Sequence, residues 1–157
     1  MTQNPFDEMR VFTEEMVPQL KELGVKLLDV SHNGMRIRVP FQDHFVFDPD
    51  SGIVHGGLIT IMLDSVCGFS VFLKTKEVAP IATVDYRIDY LQSSVPNRDF
   101  IADATCYAVT RNIAFSRGTV YQDGGEPIAH VVATFMRGTA GPSNYEQALR
   151  AAKEQAS

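Results

Sequence analysis

The stretch His55-Gly56-Gly57-Leu58-Ile59-Thr60-Ile61-Met62-Leu63-Asp64 decides how the rest of the chain is read. The apolar run continues past it, so that Leu58 to Leu73 forms 16 residues, nearly all hydrophobic, with Asp64 at their middle. This is shorter than the ~20 residues a helix needs to cross a bilayer, and a carboxylate at mid-bilayer is costly. The run therefore predicts a helix buried within protein. A helix that is apolar on nearly every side needs cover on nearly every side.

Segments with strand character supply that cover. Val25 to Val30 and Met35 to Val39 flank Ser31-His32-Asn33-Gly34, and Asn-Gly is a strong hairpin signal. Met35, Ile37 and Val39 alternate with Arg36 and Arg38, which predicts one covered and one wet face. Beyond the apolar helix come Ile81 to Leu91, Phe100 to Thr110, Ile113 to Gln122 and Pro127 to Arg137. In the first of these, Val84, Tyr86, Ile88 and Tyr90 alternate against Thr83, Asp85, Arg87 and Asp89. Arg111-Asn112 and Asp123-Gly124-Gly125-Glu126 read as turns.

Upstream, Phe6, Met9, Phe12, Met16, Leu20 and Leu23 recur at helical spacing and predict an amphipathic helix from Phe6 to Leu23, which Pro18 kinks or splits. Gln42 to Gly52 reads as a loop punctuated by Pro49 and Gly52. The order is helix, two strands, buried helix, four strands. That predicts an α+β class, with a curved antiparallel sheet wrapped around the central helix. One domain over 1–138 and a C-terminal tail over 139–157 are expected. Such a sheet leaves edges and a helix flank open, and a twofold homodimer would close them.

The composition is that of a globular protein: 45% apolar and 21% charged residues in 157. A net charge of -5 and a pI near 5.3 argue against nucleic acid as a partner. Cys67 and Cys106 sit inside apolar runs with no CxxC spacing, as expected of buried thiols in a reducing compartment. The start, MTQNPFDEMR, is too polar for a signal peptide, so a cytoplasmic location is expected. His32, His44 and His130 are scattered, no metal-ligand spacing emerges, and neither metal nor cofactor is expected.

The chemistry concentrates at the central helix. Gly56 and Gly57 sit where the helix starts, and glycine lets a ligand or another backbone approach closely. A helix N-terminus presents free N–H groups and partial positive charge. It can hold a thioester carbonyl oxygen and the charge that builds on it during attack. Asp64 is one acid in a hydrophobic run, where burial is expected to oppose its ionised form, and it is a candidate general base or nucleophile. Gly56 and Asp64 are eight residues apart, which is ~12 Å along a helix axis. A general base acts within ~3 Å of its proton or through one water, so the two cannot readily serve one carbonyl from the same helix. Two antiparallel copies across a twofold axis would set Gly56 of one subunit facing Asp64 of the other.

HGGLITIMLD, followed by Thr83-Val84-Asp85-Tyr86-Arg87-Ile88-Asp89-Tyr90-Leu91, resembles the hotdog-fold thioesterases, in particular the PaaI-like branch, over roughly Val25 to Arg137. The resemblance implies hydrolysis of acyl-CoA, or a related thioester, at the interface of a homodimer, often within a homotetramer. It assigns the carbonyl-polarising N–H to Gly56 and the acid, base or nucleophile, to Asp64. Thr83 falls where a hydroxyl residue orients the attacking water, and His55 where a structural or positioning group stands. Gly57 and Asp48 join the substrate-binding set. Arg111, Arg117 and Arg137 are candidates to grip CoA phosphates, since arginine suits that geometry, and Arg111, in a turn that relatives bring near CoA, is the one placed in the set. In one respect the chain departs from the pattern. Many relatives carry Asn or Gln about six residues before the motif His, where this chain has Pro49. The loop Asp48-Pro49-Asp50-Ser51-Gly52 is similar to an N-P-x-T-G form, with Asp48 in place of the amide, and an ionised acid has no N–H to donate.

The function expected is hydrolysis of a medium-chain or aromatic acyl-CoA. A module that binds acyl-CoA or a lipid-like ligand without turnover is the alternative, motivated by Asp48. A dehydratase would need a His and an acid paired within reach of one substrate, and that placement is not evident.

Overall fold

The computed structural model describes residues 5–77, 79–122, 124–138 and 154. The tail expected over 139–157 thus lies outside the described residues, Glu154 excepted, as do Val78 and Asp123.

Six strands pair antiparallel in the order β1-β2-β6-β7-β8-β5. They are β1 (Lys26–Val30), β2 (Gly34–Val39), β5 (Ile81–Tyr90), β6 (Phe100–Val109), β7 (Ile113–Gln122) and β8 (Pro127–Arg137). The predicted helix is α3 (Gly56–Thr75). Side chains alternate across each strand, and the inward set is apolar: Ile37 and Val39, Phe100 and Ala102, Ala114 and Val120, Ala133 and Phe135 are all buried. They enclose Leu58, Met62, Leu63, Val66 and Phe69 of α3. Each such large side chain contributes about 1.5–3 kcal/mol by leaving water. The alanines facing the helix let it lie close to the sheet.

By length and composition α3 is the one described helix able to cross a membrane; in this fold the sheet covers most of it. A small polar knot sets its register. The buried Ser70 and Ser116 hydroxyls lie 3.0 Å apart, and both donate to the Cys67 carbonyl, at 2.6 and 3.2 Å. Every buried polar atom of the knot is thereby partnered. The Cys67 and Cys106 thiols are free and buried, and burial raises both above the ordinary thiol value.

The structure refines the expected elements in three places, the first being the split that Pro18 foretold. The N-terminal helix is split into α1 (Pro5–Val11), a π-helical turn over Phe12–Met16, and α2 (Pro18–Glu22). Pro18 causes the break: it disfavours helical backbone at the preceding residue, and Val17 is extended (φ -93, ψ 104). Pro18 then sits at the first turn of α2, where its missing N–H costs nothing.

The 42–54 loop contains a short hairpin, β3 (Val46–Asp48) and β4 (Ile53–Val54). Strands this short leave no readable alternation. Gly52 closes its turn at φ +70 and lies against Pro96, where a side chain would collide.

The hairpin at 31–34 forms as expected, but neither Asn33 nor Gly34 adopts positive φ, so it is not the turn that Asn-Gly usually builds. The glycine serves close approach instead, since a Cβ on Gly34 would stand 2.5 Å from the Ala104 carbonyl oxygen.

Candidate active site

Two elements build the site, helix α3 and strand β5, which lies at the edge of the sheet. The chain turns back between them, so β5 runs antiparallel alongside α3. Three hydroxyls on β5 reach across. Tyr90 Oη donates to the Gly56 carbonyl at 3.0 Å, Tyr86 Oη donates to the Thr60 carbonyl at 3.0 Å, and Thr83 Oγ1 donates to Asp64 Oδ1 at 3.1 Å. Gly56, Thr60 and Asp64 are spaced at i, i+4 and i+8, so one flank of α3 carries all three.

The Thr83 contact depends on a register shift. Strict alternation puts Thr83 on the polar face with Asp85. In the structure the β5–β8 pairing slips between Thr83 and Asp85. Thr83 pairs with inward-facing Phe135, Asp85 with Thr134, and Tyr86 with inward-facing Ala133. The extra residue is Val84, 56% exposed, and the bulge brings Thr83 to the same side as Tyr86. The alternation read from the sequence holds from Asp85 onward and fails before it.

Asp64 is half-buried in the single chain, not enclosed as its apolar neighbours suggested. Its Oδ2 accepts no hydrogen bond among the described residues and is free for a water or substrate.

At the helix start, His55 is the N-cap: its extended backbone (φ -62, ψ 129) precedes the helix, and its Nδ1 accepts from the Gly57 N–H at 2.9 Å. In a neutral ring the proton then sits on Nε2. The Leu58 N–H bonds the His55 carbonyl at 3.1 Å. Of the first three N–H groups of α3, that of Gly56 alone finds no acceptor among the described residues. Gly57 therefore contributes its N–H to the cap, and Gly56 presents the available donor.

The loop before α3 is held by Asp48. Its Oδ1 accepts from the Asp50 N–H at 3.2 Å, its Oδ2 from the Ser51 hydroxyl, and its carbonyl from the Gly52 N–H at 2.8 Å. The Ser51 hydroxyl, with the Asp50 amide behind it, holds the Asp48 carboxyl below its ordinary value. Phe47, 71% exposed, places its ring 5.7 Å from that of His55.

The three candidate arginines separate clearly. Arg137 is engaged: its guanidinium pairs with Glu77 at 3.2 Å and bonds the Thr110 carbonyl at 3.0 Å. Arg117 lies over the Tyr107 ring, on the sheet face away from α3. Arg111 is exposed at the β6–β7 turn, and its side chain has no partner among the described residues. That turn is tied to the end of β8, which pairs with the start of β5. Strand spacing then puts it roughly 15 Å from Asp64 in the same chain. Among the described residues, no group of three His, Cys, Asp or Glu side chains is placed to hold a metal.

Sequence reasoning missed the two tyrosines and Thr60, whose Oγ1 lies 3.2 Å from Tyr90 Oη. A signal was present: a tyrosine facing an apolar helix needs a partner for its hydroxyl.

Comparison with known proteins identifies the family and the fold. Residues 51–129, just over half the chain, match the family model of the thioesterase superfamily. A Halobacterium salinarum protein provisionally named an esterase is 32% identical over 104 residues, 64% of this chain and 68% of that one. A Pseudomonas aeruginosa crystal structure superposes with a TM-score of 0.73 at 37% identity, covering 85% of this chain and 98% of its own. The phenylacetic acid degradation protein PaaI of Thermus thermophilus, in a variant form, shares the fold alone: TM-score 0.67, 21% identity, 76% of this chain and 98% of that one. On the strength of the family match and of a curved sheet wrapped around one long helix, the protein belongs to the thioesterase superfamily and carries the hotdog fold.

Proposed function

We propose that the protein hydrolyses an acyl-CoA thioester with a medium-chain or aromatic acyl group, at a site completed by a second copy of the chain. The observation that carries this reading is the placement of Gly56 and Asp64 on the one flank of α3 beside edge strand β5, which has no strand on its outer side among the described residues. Eight helical residues keep them ~12 Å apart within one chain. Antiparallel pairing of two β5 edges about a twofold axis would bring each Gly56 towards the partner's Asp64. Exposed apolar residues along this flank, Phe47, Ile61, Val84 and Tyr90, support a covering partner.

In this scheme the thioester carbonyl oxygen accepts from the Gly56 N–H of one subunit. Asp64 of the other takes a proton from water through Oδ2, while Thr83 holds Oδ1. The water oxygen bonds to the carbonyl carbon, and the tetrahedral oxyanion is stabilised at the helix N-terminus. Its collapse breaks the C–S bond, and the thiolate leaves to become the CoA thiol as the proton returns. Direct attack by Asp64 would instead form a mixed anhydride that water opens, and the free Oδ2 serves either route. Arg111 is the cation offered to the CoA phosphates. We place the enzyme in the reducing cytoplasm, supported by its two buried free thiols.

The test is a panel of acyl-CoAs followed by thiol release, with variants at both groups. Asp64→Asn and Asp64→Ala should lose at least about a hundredfold in kcat. Gly56→Pro removes the N–H donor while suiting a first helical position that follows an extended residue, as His55 is. Gly56→Ala adds the same Cβ beside Tyr90 but keeps the N–H. Activity is expected to fall much further in Gly56→Pro than in Gly56→Ala. Wild-type rates in the Asp64 variants would sink the assignment. Tight acyl-CoA binding with no thiol release by the wild type would point to the binding module.

A further inference from the structure

We propose that Tyr90 is a positioning residue for the oxyanion donor, its hydroxyl clamping the first peptide of α3 so that the Gly56 N–H stays aimed; this rests on the reading of that N–H as the donor to the thioester oxygen. The backbone that opens α3 is intrinsically loose. Glycine has no side chain to restrict it, and two successive glycines open the helix. Something outside the backbone must hold them.

The peptide joining Gly56 to Gly57 is gripped at both ends. Tyr90 Oη donates to its carbonyl at 3.0 Å, and His55 Nδ1 accepts from its N–H at 2.9 Å. The preceding peptide is held at its carbonyl by the Leu58 N–H at 3.1 Å. What remains is the Gly56 N–H, which has no acceptor among the described residues. Thr60 completes the clamp: its Oγ1 stands 3.2 Å from Tyr90 Oη and 3.3 Å from the Gly56 oxygen. With the tyrosine proton on the Gly56 oxygen, the threonine proton can settle on Tyr90 Oη, which fixes the tyrosine hydroxyl in turn.

Shape agrees with the hydrogen bonds. A Cβ on Gly56 would lie 3.2 Å from Tyr90 Oη and 3.4 Å from its ring, so the tyrosine occupies the space beside the glycine. Tyr90 is also 53% exposed in the protomer. A hydroxyl so placed adds little to the folding of the single chain, because water competes for it there. Its removal should change alignment at the site far more than the stability of the fold.

Tyr90→Phe keeps the ring and removes the hydroxyl, and it is compared with the wild type and with Asp64→Asn. We expect kcat to fall about tenfold with KM within about twofold, since an aim-dependent donor acts in the transition state. The melting temperature should stay within about 2 °C. Amide exchange followed by NMR should speed up at Gly57, whose N–H is bonded to His55, and not in the middle of α3. Thr60→Val added to Tyr90→Phe should cost little more, because Thr60 acts largely through the tyrosine. The inference is overturned by a wild-type kcat in Tyr90→Phe, by unchanged exchange at Gly57, or by a loss explained by KM or melting temperature alone. If Asp64→Asn is inactive while Tyr90→Phe is wild type, the Tyr90 inference alone fails. If Asp64→Asn keeps wild-type activity, the reading of the site fails and takes this inference with it.

Discussion

Thr83 Oγ1 reaches Asp64 Oδ1 at 3.1 Å from a strand whose plain alternation would turn it to the opposite face, because β5 is bulged at Val84. One inserted residue thus places a hydroxyl against the central acid. If the contact orients Asp64 and its water, Thr83→Val should lower kcat about ten- to a hundredfold, and Thr83→Ser should stay within about threefold of wild type. Steady-state kinetics on one acyl-CoA decide this, and equal rates for the valine and serine variants would show the hydroxyl to be idle.

His55 earns its position through its backbone and its ring. As the N-cap of α3, its loss in His55→Ala should cost about 1 kcal/mol of stability. The same change frees the Gly57 N–H, so it should also lower kcat by loosening the glycine pair. Denaturant melts alongside kinetics would report both. His55→Asn, whose side chain can cap, should recover much of the stability.

Arg111 is the one candidate CoA-binding arginine whose side chain has no partner among the described residues, whereas Arg137 is occupied with Glu77 and the turn carbonyls. Arg111→Ala should raise KM for acyl-CoA about five- to tenfold and leave kcat nearly unchanged. With the same acyl group on a short thioester that lacks the nucleotide, KM should not move. An equal KM change on both substrates would place Arg111 elsewhere in the reaction.

Alkaline pH should weaken the fold. Burial raises the Cys67 thiol above its ordinary 9.0, with the Asp64 and Cys106 charges adding to the effect, and burial likewise raises the Tyr86 phenol above 10.0. The unfolded chain ionises at the ordinary values while the folded chain holds both groups neutral. Their contribution is therefore complete below about pH 9 and is lost as the pH climbs from there towards the folded values. Melting temperature followed from pH 7 to 11 should be level at first and then fall, less steeply in Cys67→Ala. An identical slope in that variant would remove Cys67 from the account.

The main features of the fold were legible because they follow from periodicity. The apolar run at 58–73, the β7 and β8 bounds and the turn at Arg111-Asn112 stand where the pattern puts them. The bulge at Val84 was not legible, since an extra residue in a strand leaves the composition of the alternation unchanged. The split at Val17 was legible from Pro18, but the π turn that precedes it was not. At the site, the residue types of Gly56, His55 and Asp64 could be read, but not how they divide the work. That Gly57 spends its N–H on His55 and that Tyr90 grips Gly56 depends on where α3 and β5 lie side by side, a tertiary fact.

The claim that most needs testing is that each site takes Gly56 from one chain and Asp64 from another. Gly56→Pro and Asp64→Asn proteins, each inactive alone, can be mixed under conditions that exchange subunits. Half of the resulting dimers should be mixed, each with one intact site, so activity should return to about a quarter of wild type. A mixture that stays inactive while native mass spectrometry shows the subunits exchanged would contradict the shared site.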